Sequence, residues 1–447
     1  MSESPAARRP AIGDSDESTG EFRWLPSPGL VFGLLAGVLI AGAGLLFSRP
    51  QLVLIAAPIL VSVVWALARR PRTDAKVGVR TTVGGRAQAD FVEYRVAFDV
   101  PAETDAVVVR LYERGRDRSE LVVDAATAAD LAGQVAIVHS GPQEILRVDY
   151  LLVGPEASAT IAPARGPRSS RVIPPRIVPL RRLPLPFRMF GLSGGHDSAR
   201  PGDGGEFRDI HQFVPGDRLR RIDWRVTARH ANTPGDLYVR RSFSTADATV
   251  LVVMDSRDEV AELVANRPAG GLKYDGPTSL DVAREAASSI ASGYINSGDR
   301  VGFRDLAGST RMIPPGGGTA QLHRVLSTIA RTKPVGAPQR RLRPPVIPAG
   351  TIVYVLSTFL DNEAGRMAEL WRVAGHRVVI VDTLQPTTMD RLRREQQTAL
   401  RIVQLEREAR ILALGSLDVD VIRWHSAGDQ SPEMQLSTRS RMARRPR

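Results

Sequence analysis

Few residues in this chain are equipped for covalent chemistry. Its 447 residues contain no cysteine, so thiolate nucleophiles, disulfides and thiolate metal sites are excluded. There is no phosphate-binding loop ending in Gly-Lys-Ser/Thr, so the chain should not hydrolyse nucleotide itself. Gly191-Leu-Ser193-Gly-Gly lies in a proline-rich stretch, not between a strand and a helix, and is no nucleophile elbow. The histidines have no metal-ligand spacing, and the nearby pair Asp209 and His211 is of a kind that is usually structural. The chemistry on offer is recognition. It is densest from Glu206 to Arg241, EFRDIHQFVPGDRLRRIDWRVTARHANTPGDLYVRR. Pro215-Gly216 suits the centre of a type II turn, because Pro presets φ and Gly accepts φ > 0. Asp217 stands where a helix N-cap would stand, with Leu219, Ile222 and Val226 following at helical spacing. Asp223 and Trp224 sit among Arg221, Arg229 and other arginines. Two readings follow. In the first the stretch is a structural clasp, with Trp224 in a core and Asp223 holding an arginine. In the second it is a docking surface. The clasp is the stronger reading, because structural ion-pair networks are common.

The elements on either side must hold that stretch in place. Residues 1–24 are polar and rich in Ser, Asp and Glu, the composition of a disordered tail. Residues 25–70 hold two uncharged runs, Gly29 to Phe47 and Gln51 to Ala68, joined by Ser48-Arg49-Pro50. Each is long enough to cross a hydrocarbon core of about 30 Å as a helix, so they predict a transmembrane hairpin. A signal peptide fits less well, since a second span follows at once. Arg69, Arg70, Arg72 and Lys76 follow the second span and Arg23 precedes the first, while the turn has only Arg49. Both termini, and every domain after residue 70, should therefore be cytoplasmic.

Residues 77–162 alternate in short strands broken by turn residues, which predicts a small β-sandwich. Residues 163–205 form a Pro- and Arg-rich linker, extended by composition. It could lie along anionic lipid or strap over the sandwich by its Val, Ile and Leu side chains; both readings stay open. From 248 to 425 strands and helices alternate, which predicts a mostly parallel sheet covered on both faces. Its helices include one capped by Ser279, one from Thr319, one from Glu363 and a long one from Thr388 to Leu414. Residues 426–447 read as a basic disordered tail. The net charge of +12 prompts a search for nucleic acid. Of 60 basic residues, though, only Lys76, Lys273 and Lys333 are lysine, an imbalance that coding bias produces as readily as selection for charge. Aromatics are only 5%, which argues against single-strand stacking. We expect no nucleic-acid partner.

The run Glu206-Phe207, Phe213-Val-Pro-Gly-Asp217, Arg221-Ile-Asp-Trp224, Ala228-Arg229 and Leu237-Tyr-Val-Arg240 resembles the signature of the domain of unknown function 58 family. His211 and Phe213 depart from it, standing where arginine and tyrosine are common. The resemblance implies a bacterial, membrane-anchored protein in which the signature leads into a von Willebrand factor A-like domain of Rossmann type. Such domains hold a metal ion on Asp-x-Ser-x-Ser, a threonine from a Gly-rich loop, and an Asp after the fourth strand; Mg²⁺ is the ion such a site would take. Here the first motif reads Asp255-Ser-Arg257-Asp-Glu259, the loop is Gly316-Gly-Gly-Thr319, and the last position is Thr358 in Ser357-Thr358. Asp255 and Thr319 survive, Arg257 would bring a cation into the shell, and the site reads as degenerate and metal-free.

The resemblance also implies a MoxR-type AAA+ ATPase as partner, often beside a transglutaminase-like membrane protein. The expected function is that of a non-enzymatic, membrane-anchored cytoplasmic adaptor in envelope assembly or chaperoning. A metal-dependent ligand-binding module is the alternative.

Overall fold

The structure is a computed structural model that describes residues 15–71, 74–84, 91–113, 117–187, 189, 196–230, 233, 235–260, 276–308, 310–336, 345–386, 393–424 and 431–442. Ser193, the tail before residue 15, the start expected for the long helix at Thr388, and the last residues of the C-terminal tail lie outside these. The chain divides into two compact units, Met1–Val138 with Gln143–Arg171, and His139–Pro142 with Val172–Arg447.

In the N-terminal unit, β1 (Ser15–Phe22) and β2 (Leu25–Pro26) precede α1 (Pro28–Leu46) and α2 (Pro50–Ala68). The expectation of a disordered tail is therefore wrong from residue 15 onward. β1 pairs antiparallel with β3 (Ala75–Val83), from Ser15 opposite Thr82 to Phe22 opposite Ala75. Its residues SDESTGEF carry almost no apolar alternation, so composition reads as tail while the backbone ladder makes a strand. The two helices are long and apolar enough to cross a membrane. Ser27 caps α1 by accepting from Leu30 N at 3.1 Å. Phe32, Leu39 and Leu54 are all more than two-thirds exposed, as side chains facing lipid are and those of a core helix are not. The helices pack through small residues: a Cβ on Gly37 would lie 2.7 Å from Leu60 Cδ2, so a larger residue there would force the Leu60 side chain to shift.

The strands form two sheets. One has the order β1-β3-β4-β7, with β4 (Phe91–Asp99) and β7 (Leu131–Ala136). The other contains β2, β5 (Ala106–Glu113), β6 (Asp117–Asp124), β8 (Gly141–Val153), β9 (Ala159–Thr160) and β10 (Ala164–Ile173), in the order β2-β9-β8-β5-β6 with β10 on β8. Alternate residues such as Val96, Phe98, Val109, Val148 and Tyr150 are buried, and Phe98 meets Tyr150 edge-on at 5.6 Å. The expected sandwich thus gains two strands: β1 from the supposed tail and β10 from the supposed linker.

The C-terminal unit begins with the rest of that linker. Leu180 is buried in the C-terminal core, and Tyr294 donates to Pro184 O at 2.5 Å. β11 (His196–Gln212) and β12 (Tyr238–Ala246) then form a two-stranded antiparallel ribbon, with α3 (Trp224–His230) in the connection. The main sheet contains β13 (Thr249–Met254), β14 (Arg300–Asp305), β15 (Ile313–Gly316), β16 (Thr351–Ser357), β17 (Arg377–Asp382) and β18 (Asp420–Arg423), in the order β15-β14-β13-β16-β17-β18. All neighbours are parallel except β15 on β14.

Every residue of β16 and β17 is buried, the continuous apolar pattern of strands covered on both faces. On one face Val250, Val252 and Met254 pack with α4 (Ser279–Asn296), α5 (Thr319–Arg331) and α8 (Pro432–Met442). On the other Leu251 and Val253 pack with α6 (Glu363–Val373) and α7 (Arg394–Ser416). Thr278, not Ser279, caps α4, and it shares a reciprocal capping box with Asp281. α8 lies in the region expected to be a tail. It is ordered because Leu436 is fully buried and the Gln435 amide bonds the backbone of Arg423 on the edge strand at 2.9 and 3.1 Å.

Candidate functional site

The signature connection between β11 and β12 has a backbone pinned from within. Gly216 has φ +108 and Asp217 N donates to Val214 O at 3.0 Å, the type II turn that Pro215-Gly216 predicts. Asp217 does not cap a helix. Its carboxylate closes the turn by accepting from Val214 N at 3.0 Å. It also faces His211 at 3.6 Å and Arg241 at 3.7 Å. Arg221 N closes a 3-10 turn on Arg218 O at 2.9 Å. Asp223 is the cap: its Oδ1 accepts from Arg225 N and Val226 N, both at 3.1 Å, where α3 begins. Ile222 is buried and bridges Val239. Asp236 plays the same part on the return, accepting from Thr233 N and the Gln212 amide.

Trp224 overturns the clasp. It is 67% exposed, as is Leu219, and Val214 is 51% exposed. Arg218, Arg220, Arg225 and Arg229 are exposed around them. The Asp223 carboxylate is spent on helix N–H groups, not on holding an arginine. Sequence pattern placed Trp224 in a core because aromatic residues are usually buried. The short helix turns that side chain outward and buries Ile222 instead.

The second cluster lies at the carboxyl edge of the main sheet, where ligands of open α/β sheets bind. Arg257 is 3% exposed. Its Nε and Nη2 donate to the two oxygens of Asp255 at 2.7 Å each. Its Nη1 and Nη2 donate to the two oxygens of Asp361 at 2.6 and 2.8 Å. Ser357 Oγ donates to Asp255 Oδ2 at 2.8 Å. Burial alone would disfavour the charged guanidinium. The hydrogen bonds and charges of Asp255 and Asp361 outweigh it and raise its pKa. Burial, and repulsion from Asp255 and Asp361, raise the pKa of Asp258 beside them.

The neighbouring strands end likewise. Asp305, the last residue of β14, accepts from Ser256 Oγ at 2.6 Å. Asp382, the last residue of β17, pairs with Arg407 from α7, whose Nε also donates to Thr358 O at 2.7 Å.

Thr319 is not part of this cluster. Gly316 pairs with Val301 at the start of β14, whereas Asp255 follows the end of β13, next to Asp305 at the end of β14. The Gly-rich loop therefore sits at the amino edge, opposite Asp255. The expectation that Asp255 and Thr319 are remnants of one site fails because β15 runs antiparallel and carries its loop to the far edge. Among the described residues no three of His, Cys, Asp and Glu gather as a metal ion would need. The sequence offers Asp361 only as a stand-in ligand beside Asp258 and Glu259, whereas here it binds Arg257 from the loop before α6; Arg407, which reaches the edge from α7, was missed. Only the preference of buried carboxylates for a guanidinium could have signalled it.

The family model described as "Protein of unknown function DUF58" matches residues 209–420. Uncharacterized protein Mb1516 of Mycobacterium bovis and uncharacterized protein Rv1480 of Mycobacterium tuberculosis are each 29% identical to this chain over 212 residues, covering 44% of this chain and 61% of the relative. No solved structure matches.

Proposed function

We propose, from the premise that residues 209–420 are a segment of the DUF58 family, that this chain is a non-enzymatic, membrane-anchored docking adaptor, with the β11–β12 connection as its docking surface. The observation that carries the reading is the exposure of Trp224, at 67%, on a connection whose backbone Asp217, Asp223 and Asp236 hold rigid. A rigid, exposed Trp flanked by arginines is the composition of an interface hot spot. The exposed charges Arg218, Arg220, Arg225 and Arg229 fit a partner whose surface joins an apolar pocket to acidic side chains. A MoxR-type AAA+ ATPase is the partner proposed, with a transglutaminase-like membrane protein as a further member. The strand order, read from β13 as 3-2-1-4-5-6, is a doubly wound order and supports a von Willebrand factor A-like reading of the C-terminal domain. The metal-dependent alternative is disfavoured by Arg257, which already fills the oxygen cluster such a module would need.

The test is a binding titration of the full chain in detergent with the purified MoxR-type ATPase of the same genome. Trp224→Ala should abolish binding, and Val373→Ala, on an exposed residue of α6, should not. Added salt should weaken binding by the parent chain. Equal binding by the parent and Trp224→Ala would sink the reading. So would binding of the connection to anionic vesicles instead, with the same dependence on Trp224.

A further inference from the structure

The carboxyl edge of the sheet holds an arrangement that the docking surface does not use. Four carboxylate oxygens and one hydroxyl, from Asp255, Asp361 and Ser357, converge from two segments of chain, the ends of β13 and β16 with the loops after them. A hard divalent cation selects for oxygens of this kind at such a crevice. The fit fails on one residue. Three guanidinium nitrogens of Arg257 stand among these oxygens at 2.6–2.8 Å, and the side chain is almost fully buried.

We infer that the Arg257 guanidinium is a built-in cation, standing where a divalent metal would stand and holding Asp255 and Asp361 together without one. Geometry and charge both support this. Bidentate pairing on two carboxylates uses the planar fork of arginine as no other side chain can. Without a cation, the half-exposed Asp361 carboxylate would repel the buried Asp255 carboxylate beside it and favour protonation of Asp255. Asp361 also spans the crevice, because its Oδ1 accepts from Glu363 N at 3.0 Å at the start of α6. The guanidinium thus ties the loop after β13 to α6. A metal would make the same link only while bound, whereas a tethered cation is always present.

The test uses the full chain in detergent, with Mg²⁺ and Mn²⁺ as the probes. The natural chain should melt at the same temperature in Mg²⁺ and in EDTA, and should leave the Mn²⁺ resonance signal undiminished. Arg257→Ser removes the cation, leaves the oxygens and adds a hydroxyl. Its melting temperature should fall, then recover by several degrees in millimolar Mg²⁺, and it should bind about one equivalent of Mn²⁺. Adding Asp361→Asn should remove that recovery. Stoichiometric Mn²⁺ binding by the natural chain overturns the inference. So does an Arg257→Ser chain that folds and ignores both metals. If Arg257→Ser folds in no buffer, Arg257→Lys carries the test. Its shorter side chain reaches one carboxylate only, so Mn²⁺ should stabilise it and not the parent. Indifference of both to Mn²⁺ would then refute the proposal.

Discussion

At the scale of single residues, the two acidic–aromatic neighbours of the signature behave in opposite ways. Asp223 is structural, but as a helix cap, so Asp223→Ala should cost about 1 kcal/mol. The 3–5 kcal/mol expected for breaking a buried ion pair does not apply to it. Trp224→Ala should change stability by no more than about 0.5 kcal/mol, as for other exposed sites. Arg218→Ala, on an exposed side chain, should be as mild. Urea denaturation of the three variants checks this, and a Trp224→Ala loss of several kcal/mol would restore the clasp. The larger penalty belongs to Arg257. Arg257→Ala takes the guanidinium from the buried Asp255 carboxylate, leaving Ser357 Oγ and the long bond from the residue 257 backbone N–H, and should cost about 3–5 kcal/mol. The residue that looked like an intruder in a metal motif is therefore expected to matter more for folding than the signature Trp.

At the scale of elements, α4 supplies the pH dependence. Burial would raise the pKa of Asp281. Hydrogen bonds from His139 and Thr278, the charge of His139 and the hydrogen bond from Ser140 outweigh burial, and the pKa is lowered. The Asp281 carboxylate accepts from Thr278 N at 2.9 Å and from Ser140 N at 2.7 Å. A carboxyl whose folded pKa lies below its unfolded one stabilises the fold above the unfolded value, about 3.9. That stability is lost as pH falls through the folded value. Urea midpoints should therefore fall below about pH 4 in the natural chain, and Asp281→Asn should flatten that fall. A natural chain whose midpoints are level across that window would refute the assignment. The same elements explain what the sequence revealed. The strands β13, β16 and β17 were legible because continuous runs of Val, Ile and Leu have one physical use, a sheet buried on both faces. β1 and β10 were not, because their residues are polar or proline-flanked and gain their order from ladders to β3 and β8, which local pattern does not encode. At the candidate site, the Pro215-Gly216 turn was legible from backbone preference alone. The outward turn of Trp224, the reach of Asp361 and the wrong edge of Thr319 depend on chain direction in three dimensions.

At the scale of the whole molecule, the open question is which side of the membrane the C-terminal unit occupies, because a cytoplasmic ATPase can meet it only from one side. The charge asymmetry puts Arg69, Arg70, Arg72 and Lys76 after α2 and only Arg49 in the turn. Some of these charges have acidic neighbours: Arg69 lies 2.9 Å from Glu156, and Lys76 lies 3.1 Å from Glu21. Those pairs are exposed, and carboxylates contribute little to the rule that retains basic flanks in the cytoplasm. The turn should therefore face out and the rest of the chain in. A reporter fused after residue 165 would test this badly, since it would sever β10 from its partner β8. The absence of cysteine offers a cleaner route. Ser48→Cys puts one thiol in the exposed turn and Arg218→Cys puts one on the exposed signature connection, each without background. A membrane-impermeant maleimide should label Ser48→Cys in intact cells and reach Arg218→Cys only after lysis. The reverse pattern would place the docking surface outside the cytoplasm and remove any cytoplasmic ATPase from the candidate partners. Labelling of both in intact cells would mean that the two helices do not form a hairpin across the bilayer.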